Sequence, residues 1–363
     1  MEEGKNLKKR KFALNFLSKE KELRTKQILT LIFFSGVLLI ISTYAWFSAS
    51  VDVRIRFFDL VVSSDTGLFI SLDGIDFSSS VEVTVENIIS DLRRTYPNHT
   101  NQWAVGGLWP VSSYGLLSSN NPKFTFFGGA VKGYRGGQRT DDTTLKSILL
   151  HENESNAANV FVAFDIFLKN VSGSPNSDNL SFGEETFINF VEDTTEDIFE
   201  EMGGIMNSMR IGAVKVGSVS LDAEINAIQN MVCNNNCQFV IYEPNSTSHT
   251  EISIEKAYEY YGVNLIDGIY NPTYAVIKEG DKLELANGHA ETGIPLDTEH
   301  FRLQNTIKNF HNPIFQIPHG ITKLRIYVWI EGQDLDSLET NSKGATIDLG
   351  IDFVKDLAGY DID

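Results

Sequence analysis

The sequence predicts an all-β protein with minor helices: a jelly-roll-like β-sandwich preceded by one N-terminal transmembrane or signal helix. Two observations lead to this fold class. Residues 28–47 form an apolar run without a charged side chain, ILTLIFFSGVLLIISTYAWF. Beyond it lie about ten strand candidates, several of which alternate apolar and polar side chains with the period of a half-buried strand. Their connections are polar or glycine-rich and are not regularly interleaved with helices, which favours a sandwich over a parallel βαβ sheet.

Charge divides the chain into a basic segment 1–27, the apolar segment Ile28–Phe47 and the body 48–363. Residues 1–27 hold nine Lys or Arg and four Asp or Glu, although the whole chain has a net charge of −18. A helix of the apolar length spans a hydrocarbon core about 30 Å thick, and the basic residues flank its N-terminal side. We therefore expect a cytoplasmic N-terminus, contact with the membrane through Ile28–Phe47, and a body at the cell surface or outside the cell. An acidic body repels phosphate backbones, so no nucleic-acid partner is expected.

The end of the apolar segment is compatible with retention in the membrane and with cleavage by a signal peptidase. Its aromatic residues are typical of the interfacial belt of a retained anchor. Alternatively, Ala45 with Thr43 two positions before it and Trp46 after it forms a signal-peptidase junction.

The first strand candidate begins directly after this segment. Val51, Val53, Ile55 and Phe57 alternate with charged residues, as in a strand with one buried face. If the chain is cut near Ala45, these residues form a free N-terminal strand that could complete the sheet of a neighbouring copy. If the apolar segment is retained, the strand belongs to its own domain.

Further elements follow in order along the body. Strands are expected at 67–74, 81–85, 123–127, 160–168, 209–221, 238–242, 273–278, 324–330 and 346–354. Short helices are expected within 191–210, 221–232 and 254–262, and the glycine-rich segment 128–142 is expected to be a surface loop. Within 324–330, Leu324, Ile326, Val328 and Ile330 share one face. Asp165 is the one charge in the apolar strand 160–168, and because an unpaired buried carboxylate is costly, we expect it at a strand edge or paired.

The loop after the strand 324–330 carries clustered carboxylates. Glu331, Asp334 and Asp336 lie in the sequence EGQDLDS. Clustered oxygen ligands in a loop suit a hard cation, so Ca²⁺ is the one cofactor considered, although the spacing is not that of an EF-hand. The alternative is a polar turn.

Motifs that would indicate enzyme chemistry are absent. The sequence contains neither G-x-S-x-G nor H-E-x-x-H, and its two cysteines, Cys233 and Cys237, lack further ligands with zinc spacing. These cysteines form either a local disulfide or two free thiols, and a bridge over so short a loop adds little stability. We therefore do not expect an enzyme.

Short tracts resemble a known family. The sequence Ser42-Thr43-Tyr44-Ala45-Trp46-Phe47-Ser48 resembles the signal-to-mature junction of TasA/camelysin-like exported proteins of Gram-positive bacteria, which a SipW-type signal peptidase processes. The tracts IYVWIEGQDLDS and VFVAFDIFLKN are similar to tracts of Firmicutes surface proteins with the same signal. The resemblance implies an exported jelly-roll domain, of a kind that is sometimes assembled into surface or biofilm fibres. Camelysin-like relatives are labelled metalloproteases, but no zinc motif matches here.

Three functions follow as hypotheses. The first is a surface-displayed structural protein, a fibre or biofilm-matrix subunit that associates with itself or with other surface proteins by strand addition. The second is a membrane-anchored module that binds a protein or a glycan, with Trp103, Trp109 and Tyr114 as an aromatic platform. The third is an exported hydrolase with paired carboxylates, for which no spacing selects a pair.

Overall fold

The computed structural model describes only part of the chain, all of it within the unit Trp46–Asp363. The described residues are 54–56, 60–61, 67–84, 86–91, 93, 95–104, 107–117, 123–135, 138–150, 157, 159–172, 176–190, 204–233, 237–261, 264–277, 283–284, 301–310, 312–338 and 346–356.

These residues form mostly β-strands in antiparallel sheets, with a few short helices. The strands are β1 Arg54–Arg56, β2 Leu60–Val61, β3 Leu68–Ser71, β4 Ser80–Val81, β5 Phe126–Arg135, β6 Gln138–Leu150, β7 Val162–Asn170, β8 Asp178–Phe182, β9 Phe187–Phe190, β10 Met209–Val219, β11 Gln238–Tyr242, β12 Tyr274–Ile277, β13 Leu283–Glu284, β14 Phe301–Leu303, β15 Phe315–Ile317, β16 Gly320–Ile330, β17 Thr346–Gly350 and β18 Phe353–Asp356. The helices are α1 Ile225–Gln229 and α2 Glu251–Tyr261, with helical turns at Glu86–Ser90, 204–208 and Leu335–Leu338.

The central element is a five-stranded antiparallel sheet with the strand order β11-β10-β16-β7-β3. On one face, alternate residues of β16 point into the largest hydrophobic core, as the alternation predicted: Leu324, Ile326, Val328 and Ile330. The same core contains apolar residues of β8, β9, β15, β17 and β18. Two smaller sheets, ordered β15-β8-β18 and β1-β17-β9, contribute these strands. The first core therefore lies between the central sheet and the smaller sheets.

The second face of the central sheet is also buried. Tyr327 and Trp329 of β16 pack in a second cluster with Phe126 of β5 and with Phe161. The ring of Phe126 stacks on that of Phe161 at 4.2 Å between centroids. Gly212 of β10 leaves the room that this cluster needs, since a Cβ there would lie 2.0 Å from the Phe124 ring. All of β16 is consequently buried, polar residues included.

Two expectations are wrong in the described structure. Residues 128–135 and 138–142, expected in a surface loop, belong to the hairpin β5–β6, whose register runs from the pair Phe126↔Leu150 to the pair Arg135↔Gln138. Glycine disfavours strands only weakly, and the nine residue pairs of this hairpin outweigh that preference. The strand expected at 346–354 is divided into β17 and β18, which belong to different sheets.

Most of the other described strands and helices are close to the expected ones. The strand 238–242 coincides with β11, and 160–168 and 209–221 contain most of β7 and β10. The expected helices 221–232 and 254–262 correspond to the shorter α1 and to α2. Of the described residues 81–84 of the strand expected at 81–85, only Val81 is in a strand.

Several predictions concern residues outside the described ones. The apolar segment Ile28–Phe47, the junction residues Thr43, Ala45 and Trp46, and three members of the first strand all lie there; those members are Val51, Val53 and Phe57. Within the part of the chain that is described, no helix has the length and apolar character needed to cross a membrane. Ile55 is described and lies in β1, which pairs in parallel with β17.

Candidate functional site

The loop 331–338, where the sequence placed a cation site, is buried against the end of the central sheet. Glu331, Asp334 and Asp336 are only 0%, 6% and 2% exposed. Backbone bonds hold the loop: the Glu331 N–H donates to the Ser208 carbonyl at 2.8 Å, and the Gly332 N–H donates to Val111 at 2.8 Å. These backbone hydrogen bonds hold the short loop in place, and its three carboxylate side chains point into the protein.

Arg210 of β10 supplies the cation that these carboxylates face. Its guanidinium is fully buried, pairs with Glu243 at 2.8 Å and contacts Asp334. Thr273 Oγ1 accepts a further bond at 3.0 Å and Gln304 Oε1 another at 3.1 Å. Burial alone would lower the pKa of Arg210, but the surrounding carboxylates raise it above its usual value, so the guanidinium stays charged. A side chain from the adjacent strand thus supplies a positive charge beside Glu243 and Asp334.

Glu331 lies deeper in the same cluster. Its Oε2 accepts hydrogen bonds from Gln304 Nε2 at 2.8 Å, Trp329 Nε1 at 3.2 Å and the Ser113 N–H at 3.3 Å. Burial nevertheless raises the pKa of Glu331 to about 7, because desolvation outweighs the donors and the nearby Arg210 charge. Burial likewise raises the pKa of Glu243, whose Oε2 accepts from Thr306 Oγ1 at 2.7 Å.

His249 and Asp336 form a second pair at the edge of the cluster. The His249 Nδ1 lies 2.7 Å from Asp336 Oδ2, and its Nε2 lies 3.0 Å from the Ile269 carbonyl oxygen. Both ring nitrogens therefore face acceptors, which favours the doubly protonated imidazolium, although the Asn271 amide nitrogen also lies 3.3 Å from Nε2. Burial alone would lower the pKa of His249, but the Asp336 carboxylate and the Ile269 carbonyl raise it to about 9. Burial raises the pKa of Asp336 to about 6.

A narrow polar cleft separates the two ion pairs. Glu243, Asn245, His249, Asn271 and Asp334 are among the residues that line it, and it has room for about one water molecule. In the imidazolium form that its raised pKa favours, His249 is a hydrogen-bond donor to Asp336 and Ile269. What this cluster does chemically is bind the loop 331–338 to β10 and to the start of α2.

The three predicted cation ligands therefore have separate partners in the structure. Glu331 is held by neutral donors, Asp334 by Arg210 and Asp336 by His249. In the described ranges, no group of three or more His, Cys, Asp or Glu side chains is arranged to hold a metal ion.

The remaining predicted residues lie apart from this cluster. Cys233 and Cys237 are bonded to each other as a disulfide. The aromatic platform is not formed as expected, because Trp103 is buried in the first core. Trp109 is 44% exposed, and Tyr114 stacks on Phe127 at 6.0 Å between centroids.

Asp165 is paired, as expected for a charge in an apolar strand. It is fully buried beside Lys323 at 3.1 Å and Arg325 at 3.3 Å, and Tyr96 donates to it at 2.7 Å. Burial would raise the pKa of Asp165, but the two cations lower it below its usual value. Arg325 is the residue directly opposite Asp165 in the β7–β16 register.

Sequence reasoning missed the residues that complete the Arg210 cluster. Arg210 is a charge at the start of a largely apolar strand, a signal similar to the one that marked Asp165. Glu243, His249 and Gln304 reach the cluster from loops far along the chain, and their sequence neighbourhoods carry no such signal.

Comparison with known proteins adds no relative. No protein-family model, no curated protein and no solved structure matches this chain at a significant level.

Proposed function

We propose that this chain is a surface-displayed structural protein without enzymatic activity, whose first strand completes a sheet. The observation that carries the proposal is the pairing of β1 with β17. Among the described residues, β1 pairs with β17 in parallel over three positions, and the strand lies at the edge of the three-stranded sheet β1-β17-β9. In the sequence, this short edge strand follows the apolar N-terminal segment. A short edge strand near a chain end can leave its own sheet and pair with the sheet of another copy.

The physical case rests on backbone hydrogen bonding. Strand pairing is formed by main-chain groups, so the edge of β17 accepts the β1 segment of its own chain or that of another copy equally well. Three paired residues hold the segment weakly, because each net hydrogen bond contributes only about 1 kcal/mol. In this proposal, cleavage near Ala45 frees the segment, and the exported jelly-roll domain then joins its neighbours through it.

Cysteine pairing between two chains tests the exchange. The register places Ile55 opposite Ile347. One preparation carries Ile55→Cys and a second carries Ile347→Cys, and the two are mixed under mild oxidation. The natural cysteines are bonded to each other, so each chain contributes a single new thiol. Strand addition between chains gives a disulfide-linked heterodimer on a non-reducing gel.

The matched control replaces Ile347→Cys with Asp348→Cys. Adjacent strand residues point to opposite faces of a sheet, so this pairing should bond far less. N-terminal sequencing of the extracellular material completes the test. A monomer that never cross-links between chains, together with an intact Met1, overturns the strand-addition proposal.

A further inference from the structure

A second buried polar cluster joins three strands. It lies at the other end of the central sheet from Arg210. It consists of Asn170, the last residue of β7, Asp178, the first residue of β8, and Lys355 of β18. Asn170 is 0% exposed, and the side chains of Asp178 and Lys355 are only 1% and 3% exposed. An amine, a carboxamide and a carboxylate are therefore enclosed together, away from bulk water.

The three side chains contact one another in a closed ring. Lys355 Nζ donates to Asn170 Oδ1 at 2.8 Å, and Asn170 Nδ2 donates to Asp178 Oδ2 at 2.9 Å. Lys355 Nζ lies 3.5 Å from the same Asp178 oxygen. The second oxygen, Asp178 Oδ1, is buried and has no hydrogen-bond partner among the described residues.

The surrounding backbone holds the carboxamide in place. The Ser172 N–H donates to Asn170 Oδ1 at 3.2 Å. Asn170 Nδ2 also approaches the carbonyl oxygens of Pro318 at 3.4 Å and Ile317 at 3.5 Å. The carbonyl oxygen of the amide thus has a fixed backbone donor, which would stabilise negative charge developing on Oδ1.

The geometry points to an intramolecular amide bond between Lys355 Nζ and Asn170 Cγ, formed by the chain itself with Asp178 as the proton carrier. A nucleophile, an electrophilic carbonyl and a proton-transfer group are held in contact, and such proximity replaces much of the entropy cost of a reaction. Exclusion of water protects both the reaction and its product from hydrolysis.

The reaction balances without any co-reactant. The Lys355 ammonium transfers one proton to the Asp178 carboxylate and becomes a neutral amine. The Nζ lone pair attacks Asn170 Cγ, a C–N bond forms, and the carbonyl π electrons move onto Oδ1. A second proton passes from Nζ through Asp178 to Nδ2, the Cγ–Nδ2 bond breaks, and its electron pair leaves with the nitrogen as ammonia. The products are the Lys355–Asn170 amide, one ammonia and a neutral Asp178.

The bond would join the two layers of the domain covalently. Lys355 and Asn170 are 185 positions apart in the chain. β7 belongs to the central sheet and β18 to the sheet β15-β8-β18, so the bond would cross the first core. The inference does not depend on strand exchange and would hold equally for a domain that stays monomeric.

Tryptic peptide mapping of the purified, reduced chain tests the bond. Trypsin cleaves after Lys and Arg, so a free Lys355 releases peptide 344–355, and Asn170 lies in peptide 170–210. The amide removes the cleavage site and gives one branched peptide, 170–210 joined to 344–363, lighter than the sum of its parts by one ammonia. Recovery of the unmodified peptides 344–355 and 170–210 in full yield overturns the proposal.

Variants separate the reaction from the ion pair. Lys355→Arg keeps the positive charge but cannot form the amide. Asp178→Asn keeps both reacting groups but removes the proton carrier. Both variants should lose the branched peptide. Lys169→Arg, at the adjacent position on β7, should keep it. Branched peptide from the Asp178→Asn chain would refute the role of Asp178. If that variant does not fold, the wild-type map still decides whether the bond exists.

Discussion

Replacing Glu331 with glutamine removes one ionisable group from the Arg210 cluster while nearly keeping the shape of the side chain. The glutamine Oε1 can still accept from Gln304, Trp329 and the Ser113 N–H, the three donors that Glu331 Oε2 satisfies. The substitution removes the hydrogen bond from the Gln333 N–H, which donates to Glu331 Oε1 at 3.3 Å in the wild-type chain. Removing that hydrogen bond costs about 1 kcal/mol and does not depend on pH.

The ionisation of Glu331 does depend on pH. The raised pKa determines whether the free energy of unfolding rises or falls with pH. In the unfolded chain the carboxyl loses its proton near pH 4.5, whereas in the folded chain burial raises its pKa to about 7. Between these values the folded state binds more protons, so the free energy of unfolding falls as pH rises through this window. One pKa unit corresponds to about 1.4 kcal/mol, which gives a loss of about 3 kcal/mol by pH 8.

Urea unfolding at a series of pH values between 4 and 8 measures this effect. The wild-type stability should decline relative to Glu331→Gln by about 3 kcal/mol over the range, so that the variant becomes the more stable protein at the alkaline end. Glu185→Gln, at an exposed position, controls for the loss of one surface charge and should follow the wild-type curve. Parallel curves for wild type and Glu331→Gln would refute the reasoning that burial dominates this site.

Two further predictions concern the same cluster. His249→Gln should remove a second decline of the free energy of unfolding with pH. The pKa of His249 is raised from 6.5 to about 9, so its charged form stabilises the folded state below pH 6.5, and this stability is lost as pH rises through 9. By the same conversion the loss is about 3 kcal/mol. Urea unfolding at pH 6 and pH 9.5 checks it, and an unchanged wild-type decline in the variant would contradict it. Arg210→Met should lower the free energy of unfolding by about 3–5 kcal/mol at pH 7, because Glu243 and Asp334 stay buried without their partner. Calorimetry measures this loss, with the half-buried Lys215→Met as the control, and an equal effect of both substitutions would argue against a special role of the cluster.

The strands with strong alternation were predictable from the sequence, because periodicity reflects which side chains meet a core. Leu324 and Ile326 share the face that packs in the first core, as their spacing indicates. The hairpin β5–β6 was not predictable in the same way. Gly128 and Gly129 lower local strand preference, and the pairing that overrides it involves Ile148 and Ser147 of the partner strand. Such pairing depends on the partner strand and not on local composition.

The candidate site was predictable only in part. The carboxylates of the 331–338 loop indicated either a Ca²⁺ site or a polar turn, and in the structure the Arg210 guanidinium faces Asp334. The sequence could not identify this partner, which is 124 positions away in the chain. The antiparallel β10–β16 register brings the two together, by placing Arg210 opposite Trp329 near the start of that loop. Sheet order is a global property of the chain, so local spacing is compatible with both Ca²⁺ and a guanidinium.

Charges inside apolar strands therefore carry more information than the apolar residues around them. An alternating strand is compatible with one wet face, and on that interpretation Lys323 and Arg325 would need no partner. Both are 0% exposed, and each pairs with Asp165 on the neighbouring strand. A buried charge is tolerated only beside an opposite charge or several donors, so an Asp in one such strand and basic residues in another predict that the strands are neighbours under a second layer. The same argument applies to Lys355, which follows two apolar residues in β18 and is enclosed with Asn170. There the partner of the buried amine is an amide, which an amine can attack. In the proposed reaction, burial therefore leads to a covalent bond and not only to an ion pair.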